Sequence, residues 1–138
     1  MTALPTAVPP TVPVARTPML TILRFLLLAE AIAGLALAIY LSLVAGDASA
    51  DAETSLRFAA GGAFLFAIFA AVASRGVRRR RGWAWTLSAI LQVVLAIGTG
   101  VAVMTAAWHP AYLIGFAAAT VLMAVLSAPS VREALGQA

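Results

Sequence analysis

The 138-residue chain is 63% hydrophobic and only 10% charged, with a net charge of +4 and a mean hydropathy of +1.02. Soluble domains carry roughly a quarter charged residues, so this composition excludes an ordinary water-soluble enzyme. The absence of cysteine excludes disulfides, thiolate metal sites and a cysteine nucleophile, and the lone histidine, His109, excludes sites that need two or three histidines.

Residues 1–18 hold five of the seven prolines, Pro5, Pro9, Pro10, Pro13 and Pro18, spaced by small residues and threonine. With no helical or strand period, this segment is expected to be a disordered, polyproline-like tail. Its Pro10-x-x-Pro13 spacing is read as part of that tail rather than as a docking motif.

The first apolar run, 19–45, is broken only by Arg24, Glu30 and Ser42. A helix needs about 20 apolar residues to cross a hydrocarbon core of roughly 30 Å, and this run is long enough. Ala48-Ser49-Ala50 has the small-x-small pattern of a signal-peptidase site. The run is far longer than the roughly 7–15 residues of a signal h-region, so an uncleaved helix is expected. Glu30 lies about 15 Å deep if Leu20 marks the inner edge. An ionisable group at that depth costs several kcal/mol unless paired or hydrated, so it should face the bundle interior. Arg24 is six residues earlier, about 600° of rotation away. It should snorkel toward the headgroups rather than pair with Glu30.

The second run, 54–74, carries Ala59, Ala63, Ala67 and Ala71 at four-residue steps with Gly61 and Gly62 beside them, a candidate close-packing stripe. Phe58, Phe64, Phe66 and Phe69 are expected to face lipid or fill gaps. Arg57 and Glu53 form an i, i+4 pair at the helix start. The basic run Arg75, Arg78, Arg79, Arg80 and Arg81 follows. Without an aromatic platform or a nucleic-acid motif, it is read as a topology determinant that meets anionic lipid headgroups.

The third run, 83–107, opens with Trp83 and Trp85, whose rings suit the headgroup level, as do Trp108 and Tyr112 at the opposite end. Gln92 lies about 14 Å from Trp83, level with Glu30. Ser88, Gln92, Ala96 and Gly100 share one face, as do Glu30, Gly34 and Ala38 on the first helix. The first and third helices are therefore expected to pack together through Glu30 and Gln92. In the preferred reading, a neutral Glu30 donates a structural hydrogen bond to Gln92. In the other, Glu30 is a proton- or cation-binding carboxylate in a small cavity. His109 is read as an interfacial loop residue, not a metal ligand. The fourth run, 110–128, carries Ala111, Gly115 and Ala119 at four-residue steps. After Pro129, Ser130-x-x-Glu133 has capping-box spacing and predicts a short helix ending near Gly136.

All nine basic residues are arginine, and only Arg57 falls on the outer side if both termini are inside. Cytoplasmic loops retain arginine, so this bias orients the chain N-in and C-in. The expected architecture is an all-α, four-helix transmembrane bundle over 19–128, with a cytoplasmic tail at 1–18 and another at 129–138.

The arginine block running into Arg81-Gly82-Trp83-Ala84, with Gln92 and the segment Leu126-Ser127-x-Pro129 to Leu135, resembles small four-span membrane proteins of actinobacterial type. Ala29-Glu30-Ala31-Ile32-Ala33-Gly34 looks like the segment around the helix 1 glutamate of the small multidrug resistance transporters. That resemblance implies that Glu30 binds protons and hydrophobic cations in alternation. The aromatic cage and short loops of those transporters are not matched.

No nucleophile–base pair, metal cluster or cofactor motif is read from the chain, so neither an enzymatic activity nor a cofactor is expected. The expected role is a non-enzymatic accessory or structural component of the bacterial inner membrane, with a membrane-protein partner or as a homo-oligomer. A small proton-coupled transporter using Glu30 is the alternative.

Overall fold

The computed structural model describes residues 18–105 and 110–137, and within them every apolar run is helical. Five helices follow in chain order: α1 (Pro18–Ala45), α2 (Ala50–Arg78), α3 (Gly82–Thr105), α4 (Pro110–Ser127) and α5 (Pro129–Ala134). No strand occurs among the described residues. The tail before Pro18, Trp108 and His109 lie outside them. Helices α1, α2 and α3 are long and apolar enough to cross a membrane, whereas α4 is apolar but shorter. Leu43 and Ile114 are each 70% exposed and Phe58 is 86% exposed, a surface that suits lipid and not water.

Polar residues explain why α2 runs beyond the expected 54–74 at both ends. Asp51 and Glu53 occupy its first turn and Arg75 and Arg78 its last, each charge opposing the local pole of the helix dipole. The expected capping box on α5 does not form. Ala128 is the N-cap, Pro129 opens the helix where its missing N–H has no helical partner, and no side chain caps it.

Two helices end in the same hydrogen-bond motif with different residues. At the end of α5, Gly136 (φ 70°) takes the left-handed position, with Gly136 N–H donating to Glu133 O and Gln137 N–H to Arg132 O. At the end of α2, Arg80 (φ 51°) takes that position, with Arg80 N–H donating to Val77 O and Arg81 N–H to Gly76 O. Glycine is the usual residue there because a side chain clashes with the following carbonyl at a cost of about 1–2 kcal/mol. Arg80→Gly is therefore expected to raise stability by about 0.5–1 kcal/mol after glycine's own entropic cost. The unfolding midpoint in detergent checks it.

Helix α1 packs chiefly on α2 and α3 chiefly on α4, while α2 against α3 joins the two pairs. Positions 20, 24, 27, 31, 34, 38, 41 and 45 of α1 are all buried or half-buried, in steps of four and three. So are positions 53, 56, 60, 63, 67, 70, 74 and 77 of α2. This heptad spacing is the pattern of left-handed antiparallel packing. Half of these α2 positions are alanine, Ala60, Ala63, Ala67 and Ala70, which brings the backbones close. A Cβ on Gly34 would lie 3.2 Å from Ala67 Cβ and 3.3 Å from Ala63 O.

These contacts correct the expected pairing of the first and third helices. The small face around Gly34 and Ala38 meets α2, and α1 and α3 are not close-packed neighbours. The four-residue stripe on α2 is split as well, with Ala63 and Ala67 on the seam and Ala59 and Ala71 exposed. On α4, Gly115 meets α3, where its Cβ would lie 2.8 Å from Thr99 Cγ2.

The core is concentrated at the arginine-bearing end. Leu23, Leu27, Leu122, Leu126, Val131 and Leu135 are buried together there, with Val77 and Ala84 between them. Helix α5 folds under this end, where Gln137 Nε2–H donates to Gly82 O at 3.4 Å. Phe66 packs against the core, while Phe58, Phe64 and Phe69 are exposed.

Candidate functional site

Glu30 lies on α1 beside the seam residues Leu27 and Ala31 but off the seam itself. Gln92 reaches it from α3, and its Nε2–H donates to Glu30 Oε2 at 2.8 Å. The two side chains thus meet although their helices do not pack closely. Gln92 is fully buried and Glu30 is half-buried. The donor is opposite to the one expected: the amide gives the hydrogen bond and the carboxyl accepts it. A primary amide brings two N–H donors, and a carboxyl group keeps an accepting oxygen in either protonation state, so this arrangement needs no proton on Glu30.

Three other polar atoms are buried around this pair without a hydrogen-bond partner: Glu30 Oε1, Gln92 Oε1 and Ser88 Oγ. Ser88, also fully buried, lies one turn before Gln92 on the same face of α3. Carboxylate, amide and hydroxyl oxygens of this kind can accept from a proton donor or coordinate a hard cation. One cavity of about 450 Å³ lies between α1 and α2, and another of about 220 Å³ lies at the arginine end. Neither is lined by Glu30 or Gln92.

Antiparallel packing collects the charges at one end. Arg75, Arg78, Arg79, Arg80 and Arg81 surround the α2–α3 turn, Arg132 sits on α5 beneath it, and Arg24 lies near the start of α1. Arg57 is at the other end of α2, where it pairs with Glu53 at 2.6 Å. Trp83 is 49% exposed beside the arginines. Trp85, expected beside it at the headgroup level, instead turns inward, and its Nε1–H donates to Leu126 O at 3.0 Å. That carbonyl belongs to the last turn of α4, where helical partners run out. The indole therefore ties α3 to the end of α4. Tyr112 is half-buried near the start of α4.

No family model, curated protein or solved structure matches this chain. The likenesses to actinobacterial four-span proteins and to small multidrug resistance transporters therefore rest only on the residues that suggested them. Helix length and composition support a multi-pass membrane protein.

Sequence reasoning missed several contacts that hold this end together. Ser74 Oγ–H donates to the carbonyl of Arg24 across the α1–α2 seam at 3.3 Å. Gly76 lets Trp83 lie against the end of α2, since a Cβ there would sit 2.7 Å from Trp83 Cη2. A serine seven residues from Ala67, and so on the same heptad face, was the only available signal for the first.

Proposed function

We propose that this chain is a four-span protein of the bacterial inner membrane, with both termini cytoplasmic, serving as a non-enzymatic accessory or structural component. The observation that carries this reading is the Gln92–Glu30 hydrogen bond, which employs the one deep carboxyl group of α1 as a tie between helices. Such bonds contribute about 0.6–2 kcal/mol in membranes, in keeping with a structural role. The fourth crossing is supported by α4 itself. Its 18 residues span about 27 Å, and Leu126 returns to the end that carries the arginine turn. The orientation is supported by the arginine bias, because moving that end across the membrane is opposed. Gly61 and Gly62, with open space where a side chain would be, offer a face on which a partner helix or a second copy can lie close.

The unpartnered Glu30 Oε1, Gln92 Oε1 and Ser88 Oγ favour the second reading, a small proton-coupled transporter. Proteoliposomes separate the two. The expected result is no uptake of a hydrophobic cation such as ethidium under an imposed pH gradient, with Glu30→Gln behaving as the unmodified protein. Gradient-driven uptake that Glu30→Gln abolishes while remaining folded would establish transport instead.

A further inference from the structure

We infer that the cleft at the α2–α3 turn is a binding site for a phosphate oxyanion, carried on a lipid headgroup or free. The cleft has a volume of about 220 Å³ and is lined by Val72, Arg75, Gly76, Arg79, Arg81 and Trp83. Three arginines therefore border one concavity, and no acidic residue lines it. The one ion pair among the described residues, Arg57 with Glu53, is at the opposite end of α2. A cluster of cations without a counter-charge repels itself, and an oxyanion that accepts from several N–H groups relieves that repulsion. Arginine suits the task because its planar fork matches phosphate oxygens two at a time.

The backbone builds this cleft at a cost. Arg80 holds the left-handed conformation that glycine would adopt with less strain. The reversal it makes brings Arg81 N–H back to Gly76 O at 3.1 Å, so that Arg81 joins Arg75 and Arg79 around the same opening. Gly76 supplies the floor, because a Cβ there would occupy the space of the Trp83 ring. Val72 and the exposed indole of Trp83 give the opening an apolar side. That mixture suits a headgroup phosphate with its glycerol and first methylenes. The headgroup assignment rests on the proposed membrane orientation, whereas the oxyanion site itself does not.

The test uses the full chain in nanodiscs of phosphatidylcholine, with and without phosphatidylglycerol, and native mass spectrometry to count retained phospholipid. One phosphatidylglycerol per chain is expected. Arg75→Gln with Arg79→Gln should weaken retention at least about tenfold, as expected for two lost charge-assisted contacts. Arg78→Gln with Arg80→Gln removes the same charge outside the cleft and should change it less than about threefold. Arg81→Gln serves if the first double variant does not fold. Equal losses in both double variants would mean diffuse attraction and overturn the site. So would the absence of retention together with no competition or binding by inorganic phosphate. Binding of inorganic phosphate alone, lost in the cleft variant, keeps the oxyanion site and assigns it to a free anion. Because the chain has no cysteine, Ser130→Cys with a membrane-impermeant maleimide reports the orientation separately. Labelling from outside the cell overturns the orientation while leaving the cleft result standing.

Discussion

Gln92→Leu is expected to destabilise the bundle by about 1–3 kcal/mol, the cost of leaving a buried polar group without its hydrogen bond. The substitution removes the amide that donates to Glu30 Oε2 and leaves that carboxyl group in the interior with neither oxygen partnered. Glu30→Leu leaves the mirror-image defect, a fully buried amide with nothing to donate to. The double variant removes both polar groups and should return to within about 1 kcal/mol of the unmodified protein, because apolar replacement of both partners is nearly neutral. Glu30→Gln keeps an accepting oxygen at the same reach and should cost less than either leucine. The resulting cycle should give a coupling of at least about 1 kcal/mol, within the range of about 0.5–3 kcal/mol found for side chains in direct contact. Unfolding midpoints in a mild detergent measure all four. Additive single effects would show that the 2.8 Å contact contributes nothing.

That pair was legible because depth along a helix needs only a residue count. Placing Leu20 and Trp83 at one interface puts Glu30 and Gln92 level at 1.5 Å per residue, whichever helices are neighbours. Neighbour choice was not legible. The apolar residues of α1 run all round the helix, so no polar face indicates which side is outward. Four-residue steps and alternating steps of three and four then fit the same residues over two turns. Gly34 and Ala38 satisfy both patterns, and only the burial of Ala31, Leu41 and Ala45 shows that the heptad is the one in use.

The tryptophans could have been separated. Trp83 and Trp85 are two residues apart, about 200° around a helix, and cannot both lie on one face. The ends of α2 were hidden because an apolar run says nothing about a helix that continues with charged residues. The α2–α3 turn was hidden for a sharper reason. The residue in the left-handed conformation is Arg80, so the glycine that usually marks such a helix end is missing.

Gly76→Ala should be the most damaging of the glycine substitutions in the helices, at about 1–3 kcal/mol. Alanine alone would raise helix propensity by about 1 kcal/mol, so the packing conflict must exceed that gain. It does, because the added methyl group would lie 2.7 Å from both Ala84 Cβ and Trp83 Cη2. The Ala84 methyl is fixed to the backbone of a fully buried residue and has no rotamer by which to retreat. Trp83 can swing outward, but only by leaving the end of α2 and opening the phosphate cleft that Gly76 also lines. Relief by moving α3 would strain the turn, where Arg81 N–H is bonded to Gly76 O itself. Gly61→Ala is the control, since nothing lies within 4 Å of its Cβ position. It should gain up to about 1 kcal/mol in the isolated protein. Equal midpoints for the two alanine variants would show that α2 and α3 do not meet at Gly76. If a partner helix occupies the face around Gly61, the same control substitution should weaken that association while leaving the isolated chain more stable.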